Sequence, residues 1–369
     1  MRRHFKLAAS AAVVLFSVSV AQARSAVQVR NDSPPCEKSE AYKAIDSSIP
    51  THKIYLKNGR AALDVLKDDL GVETIIRYYD WPENDETIAC KRLLDDEIKE
   101  IFKRKLSIIA VFQHNNDDLK TIINPARGTI DATRALELAE ANGQPYGSTI
   151  YFGIDGQDAM LESLVWEHHV SNKTHMTARR KEFLINDRKW RPEAVAKYSR
   201  LYSEFLDYHS DVFPKREVKS LTRADVLDFI DTYFKAIKAK FDEFSGGDPK
   251  KGYKIGAYSS GYVCRHLLDS AEKSNHAVTH CWLAQADGWP EYEDFRDKGN
   301  WVMWQKMPTT CPPTWRNPVN RTEAVDFDFN KIRPGMNDIG QWSTQRKVTV
   351  PPMPRSPKCE DALSINRPR

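Results

Sequence analysis

Short apolar runs alternate along this chain with stretches of helical period. Residues 150–154 (Ile-Tyr-Phe-Gly-Ile) lie between Gly147-Ser148 and Gly156 and read as a strand buried on both faces. The run ends directly in Asp155, and Asp158 follows three residues on. Thr74–Asp80 (TIIRYYD), Leu106–Phe112 (LSIIAVF), Tyr253–Tyr258, His280–Ala284, Trp301–Trp304 and Ala324–Phe329 read the same way. A short mixed run, Ala41–Ile45, opens the series and ends at Asp46.

Between the runs the apolar spacing is helical. It covers Asn58–Leu70, closed by Gly71, then Thr87–Lys105, Asp131–Ala141, Thr222–Phe244 and a helix from Ser260-Gly261 to about Lys273. Residues 286–300 and 306–323 are rich in Pro, Gly and polar side chains and predict no helix of useful length. Repeated strand–helix units predict an α/β fold with parallel strands. The expected form is a TIM-like (β/α) barrel of eight strands, the last three joined by loops. Residues 160–221, rich in charge and aromatics, break the rhythm and predict a helical insertion after the fourth strand, over the barrel mouth. The domain reading is a signal peptide over 1–23, a leader over 24–40, the barrel over 41–332 and a Pro-rich basic tail over 333–369.

Composition changes this picture in three places. Arg2, Arg3 and Lys6 precede an apolar stretch, Leu7–Val20, and the small-residue site Ala21-Gln22-Ala23, the pattern of a secretory signal. The expected location is therefore secreted or periplasmic, with no membrane span after cleavage. Cleavage removes three of the positive charges behind a formal net charge of +4, so nothing in the remaining balance attracts nucleic acid. Six cysteines in an exported chain permit disulfides, and without a CxxC pair they predict no structural zinc. Placing Cys264 at the mouth and Cys281 at the far end of its strand argues against pairing those two; Cys90 and Cys311, both on mouth-side segments, are the expected pair. His168, His169 and His175 lack the HExxH spacing, so neither metal nor cofactor is expected. Ser259-Ser260-Gly261 lacks the GxSxG context of a nucleophile turn.

The residues at the carboxyl ends of the expected strands are Asp46, Tyr79 or Asp80, Gln113, Asp155, Ser259, Gln285, Gln305 and Asp326. A parallel barrel brings these ends to one mouth. Tyr78, Trp81, Tyr151, Tyr258, Trp282, Trp289 and Trp304 stand within a few residues of them. Carboxylates and amides that pair with hydroxyls, beside rings on which sugar faces stack, suit a carbohydrate. Any one ring is more ordinarily explained by core packing; three amides placed directly after apolar strands are not.

In this order, Asp46, IIRYYD, IIAVFQ, TIYFGID, YKIGAYSSGYVC, CWLAQADGW, WVMWQ and VDFDFN resemble a secreted bacterial glycoside-hydrolase-like barrel family, itself similar to the Chalaropsis-type lysozymes. The resemblance spans about 40–332 without the insertion. It implies glycosidic bond hydrolysis in a cell-wall or related polysaccharide, such as peptidoglycan, by paired carboxylates. Asp46 matches the first-strand acid, Asp155 the first acid of the lysozymes' Asp-x-Glu, and Asp326 the last-strand acid. Gln157 stands where the lysozymes carry their general-acid Glu, and an amide cannot donate that proton. Asp158, Asp80 or Glu83 takes the role, or the domain binds glycan without cutting it. The expected catalytic set is Asp155, Asp46, Asp326 and Asp158, and the expected glycan contacts are Tyr79, Gln113, Tyr258, Gln285, Gln305 and Asp328.

Overall fold

The structure is a computed structural model. It describes residues 42–55, 59–80, 91–113, 126–154, 223–248, 250–271, 275–285, 291–306, 314–316 and 324–348, with backbone alone for 223–226, 314–316 and 324–326. The expected insertion over 160–221, the leader, and Cys90 and Cys311 lie outside these residues.

Eight strands close into a barrel in the order β1-β10-β7-β6-β5-β4-β3-β2. They are β1 Tyr42–Asp46, β2 Thr74–Tyr79, β3 Ser107–Phe112, β4 Thr149–Gly153, β5 Lys254–Ser259, β6 Val278–Leu283, β7 Met303–Gln305 and β10 Asp328–Ile332. Six neighbouring pairs are parallel, as the βα pattern predicts. The exception is β10, antiparallel to both β1 and β7. The expected last strand, Ala324–Phe329, is thus two elements. β9 Ala324–Asp326 pairs with β8 Thr314–Arg316 in a separate two-stranded sheet, and β10 alone closes the barrel.

Helices cover the outside. They are α1 Ala62–Asp64, continued by a π-helical turn over Val65–Asp69, then α2 Asp95–Lys103, α3 Arg127–Ala141, α4 Arg223–Ser245, α5 Gly261–Ser270 and α6 Tyr292–Lys298. α2 starts later than its periodicity predicts, because residues 91–93 run along β2 instead: Arg92 bridges Tyr78, and Leu93 N donates to Tyr78 O at 2.9 Å. α6 corrects the expectation of no helix after β6. Its seven residues bury only Tyr292 and Phe295, too few to show as a period in the sequence.

Strand alternation splits the core into two layers. Ile45, Ile75, Phe112, Phe152, Ile255 and Phe329 face outward to the helices. Ala44, Ile76, Ile109, Tyr151, Trp282 and Met303 fill the barrel. Gly256 sits beside Tyr151 in the β4–β5 pairing, and a Cβ there would lie 2.6 Å from the Tyr151 ring, so this strand position has room only for hydrogen.

The same alternation overturns the cysteine expectation. β6 begins at Val278, so Cys281 stands mid-strand with its side chain outward, where the first turn of α5 packs. Cys264 and Cys281 form a disulfide, with Cα atoms 5.8 Å apart.

Residues 333–348, expected to be tail, pack across the amino-terminal ends of the strands. Trp342 and Ile108 exchange backbone hydrogen bonds at 2.8 and 2.9 Å, Thr149 N donates to Gly340 O, and Tyr151 Oη donates to Ile339 O at 2.8 Å. Ile339 and Trp342 are buried, and Arg346 stacks 3.9 Å over Tyr146 while donating to Gln144 O and Tyr253 Oη. This segment floors the barrel and leaves the other end as the mouth.

Candidate active site at the barrel mouth

Asp46 ends β1 with its side chain pointing into the barrel and is almost fully buried. In the β1–β10 ladder its partner is Asp328, the first residue of the antiparallel strand. Reversal of β10 therefore brings the start of that strand, and its acid, to the mouth. Asn330, two residues on, points the same way.

These side chains form one network. Asn330 Nδ2 and Gln305 Nε2 both donate to Asp46 Oδ2, at 2.9 and 3.3 Å. Gln305 Nε2 also reaches Asp328 Oδ2 at 3.1 Å, so one amide spans two carboxyl groups. Tyr258 Oη donates to Gln305 Oε1 at 2.7 Å, and Trp282 Nε1 donates to Asn330 Oδ1 at 2.7 Å. Tyr78 Oη lies 3.2 Å from Asp46 Oδ1. The Tyr258 and Trp282 rings, with centroids 4.2 Å apart, form the layer beneath the polar groups.

Burial pushes the Asp46 carboxyl up, and the charge of Asp328 pushes it further, from the usual 3.8 to about 8; the hydrogen bonds from Asn330, Gln305 and Tyr78 pull the other way. At neutral pH Asp46 therefore carries a proton.

Of the residues expected from sequence, Asp46, Tyr258, Gln305 and Asp328 come together here. Gln113 follows β3 beside Gly153, with its Cγ 3.4 Å from where a Cβ on that glycine would stand. Gln285 is exposed beyond β6, and Asp80 is buried after β2. Tyr79 does not reach the mouth. It points outward and is fully buried, with its hydroxyl on Gln144 at 2.7 Å, and its neighbour Tyr78 takes the inward place. Ser259 is buried and bonds the Ile154 carbonyl at 3.2 Å. Asp155, Gln157, Asp158 and Glu83 lie outside the described residues, as does the side chain of Asp326. Ile154, the last described residue before Asp155, is held to β5 through Tyr258 O at 2.9 Å. The residue opposite Asp46 in the ladder is Asp328. Asn330 was missed as a site residue; its signal is the period of two in Asp328-Phe-Asn330, which places both polar side chains on one face.

The described residues thus form a closed α/β barrel with buried acids and amides at its mouth. Residues 64–183 match the family described as Rv2525c-like, glycoside hydrolase-like domain, bearing out the resemblance in the motifs. Among solved structures, Rv2525c, a Tat-secreted protein of Mycobacterium tuberculosis in complex with L-tartrate, is 13% identical over 82% of this chain and 99% of its own, with a TM-score of 0.40. An uncharacterized B. stearothermophilus protein is 12% identical over 81% of this chain and 99% of its own, with a TM-score of 0.40. The modular autolysin LytC from Streptococcus pneumoniae is 13% identical over 81% of this chain and 49% of its own, with a TM-score of 0.37. No curated protein matches the chain.

Proposed function

We propose that the barrel mouth binds a cell-wall or related polysaccharide and hydrolyses a glycosidic bond. The observation that carries this reading is Asp46, a carboxyl buried opposite Asp328 inside a network of amides and aromatic rings, where burial and the neighbouring charge push its pKa up to about 8. Glycoside hydrolysis requires one protonated and one charged carboxyl on opposite sides of the bond. Asp46 holds the proton. Asp155, directly after β4 in sequence, is the charged partner, and Asp158, three residues on, stands next in line. Gln305 and Tyr258 orient sugar hydroxyls.

Export to the periplasm or beyond is part of this reading. It is supported by the signal-like amino terminus and by a disulfide between core elements, which forms in an oxidising compartment. No helix among the described residues is long and apolar enough to cross a membrane.

Gln157 favours a second reading, glycan binding without cleavage. Digestion of purified peptidoglycan, followed by analysis of released muropeptides, separates the two. On the hydrolase reading the wild type releases muropeptides, and Asp46→Asn and Asp155→Asn each lower the rate by at least about a hundredfold. If the wild type is inert yet sediments with the wall, and Gln157→Glu gains activity, the binding reading holds. A wild type that neither cuts nor binds glycan sinks both.

A further inference from the structure

A second surface lies away from the mouth, on the outside of the barrel. Trp304 of β7 points outward, because its neighbours Met303 and Gln305 point in. Its Nε1 donates to Tyr292 Oη at 2.9 Å, which fixes the indole against α6. Three cations gather on this one ring: Lys331 at 5.3 Å from its centroid, and Arg296 and Lys306 each at 5.8 Å. Lys331 also stands 5.1 Å over the Tyr42 ring. Arg333 follows on the same outward side, since Ile332 between them turns into the barrel.

Arg296 is paired with Asp297. Among the described residues no carboxylate pairs with Lys331 or Arg333, and the Arg333 guanidinium donates to the neutral Asn300 Oδ1, at 3.1 Å. Two cations without a carboxylate on one outward face repel one another, and an anion between them relieves the repulsion. The α6 acids Asp294 and Asp297 are already paired, Asp294 with Arg265 and Lys298 and Asp297 with Arg296.

We propose that the outer face of β7 and β10 around Trp304 binds an acidic polysaccharide through Lys331 and Arg333. Flexible anionic groups along such a chain reach the ammonium and guanidinium, and its sugar rings lie against Tyr42 and Trp304. The surface is independent of the mouth. It would hold the protein on an acidic polymer whether or not the mouth cuts glycan.

The test measures binding of the full chain to polygalacturonate, with dextran as the neutral control and phosphatidylglycerol vesicles as the membrane control, by affinity electrophoresis and calorimetry. Polygalacturonate should bind, dextran should not, and about 0.5 M salt should weaken binding strongly. The double variant K331A/R333A should bind at least tenfold more weakly with an unchanged melting temperature, while Asp46→Asn binds polygalacturonate as the wild type does. The proposal is overturned if K331A/R333A binds like the wild type, if dextran binds equally well, if Asp46→Asn abolishes binding, or if the vesicles bind more tightly than the polymer.

Discussion

Asp46 couples the chemistry of the mouth to the stability of the fold. Its pKa in the folded chain, about 8, lies above the usual 3.8, so the folded state holds this proton more tightly than the unfolded one. The contribution to stability is full below about pH 4, declines as pH rises through the window, and is lost above about pH 8. The slope from this one group is at most about 1.4 kcal/mol per pH unit. Asp46→Asn should flatten that slope, so melting temperatures of wild type and variant should diverge between pH 5 and 8, with the wild type losing more. Parallel pH profiles would show that Asp46 is ionised in the fold. Trp282→Phe tests the layer beneath. It keeps a ring against Tyr258 but leaves the buried Asn330 Oδ1 without its donor. A loss of about 1–3 kcal/mol is expected in urea unfolding. Much of this site was legible, because Asp46, Gln305 and Tyr258 each end an apolar run. Tyr79 misled because Tyr78 and Tyr79 are chemically alike and the run does not say which faces inward; a shift of one residue exchanges the two faces.

Elements show where periodicity stops informing. The segment VDFDFN has apolar residues at Val325, Phe327 and Phe329 and acids at Asp326 and Asp328. One period of two runs through the end of β9 and the start of β10, so nothing marks the break between them or the reversed direction of the second. The disulfide was lost in the same way. Starting β6 at His280 put Cys281 at the strand's end, whereas its true start at Val278 places Cys281 under α5. The bridge spans a sequence separation of 17, for which restriction of the unfolded chain predicts about 3 kcal/mol. Replacing both cysteines by serine should lower stability by about that amount, read by denaturant unfolding against the wild type with and without reductant. A difference below about 1 kcal/mol would mean that packing of α5 on β6 suffices without the bridge. Gly256→Ala is expected to be more damaging than its size suggests, because the new methyl meets the Tyr151 ring and Thr149 together.

For the whole molecule, a barrel must be closed at the end that is not its mouth. Here the closure is residues 333–348, a stretch with no strand or helix period. Its apolar content is concentrated in Ile339 and Trp342, both buried, and its other contacts are scattered: backbone bonds to Ile108, Thr149 and Gly143, an ion pair from Asp338 to Lys254, and bonds from Arg346 to Gln144, Glu140 and Tyr253. A segment whose contacts are scattered over strands and loops has no face to repeat, which is why its sequence reads as tail. Gly340 shows how close it comes: its φ is +80°, and a Cβ there would lie 2.2 Å from Thr149. A chain ending at Ile332 should therefore lose the floor, uncovering Tyr151 and the edge at Ile108. The expected result is a species that binds a hydrophobic dye and melts without a cooperative transition. Because truncation is a large change, Trp342→Ala in the full chain supplies the milder arm. Removing an indole packed on Phe102, with ring centroids 5.4 Å apart, should cost about 3–5 kcal/mol while leaving the Asp46 network at the opposite end in place. If the chain ending at 332 unfolds cooperatively within a few degrees of the full chain, the barrel is closed by its own side chains and 333–348 only lies against it. If it collapses and Trp342→Ala is costly, the domain ends after the floor and not at the last strand.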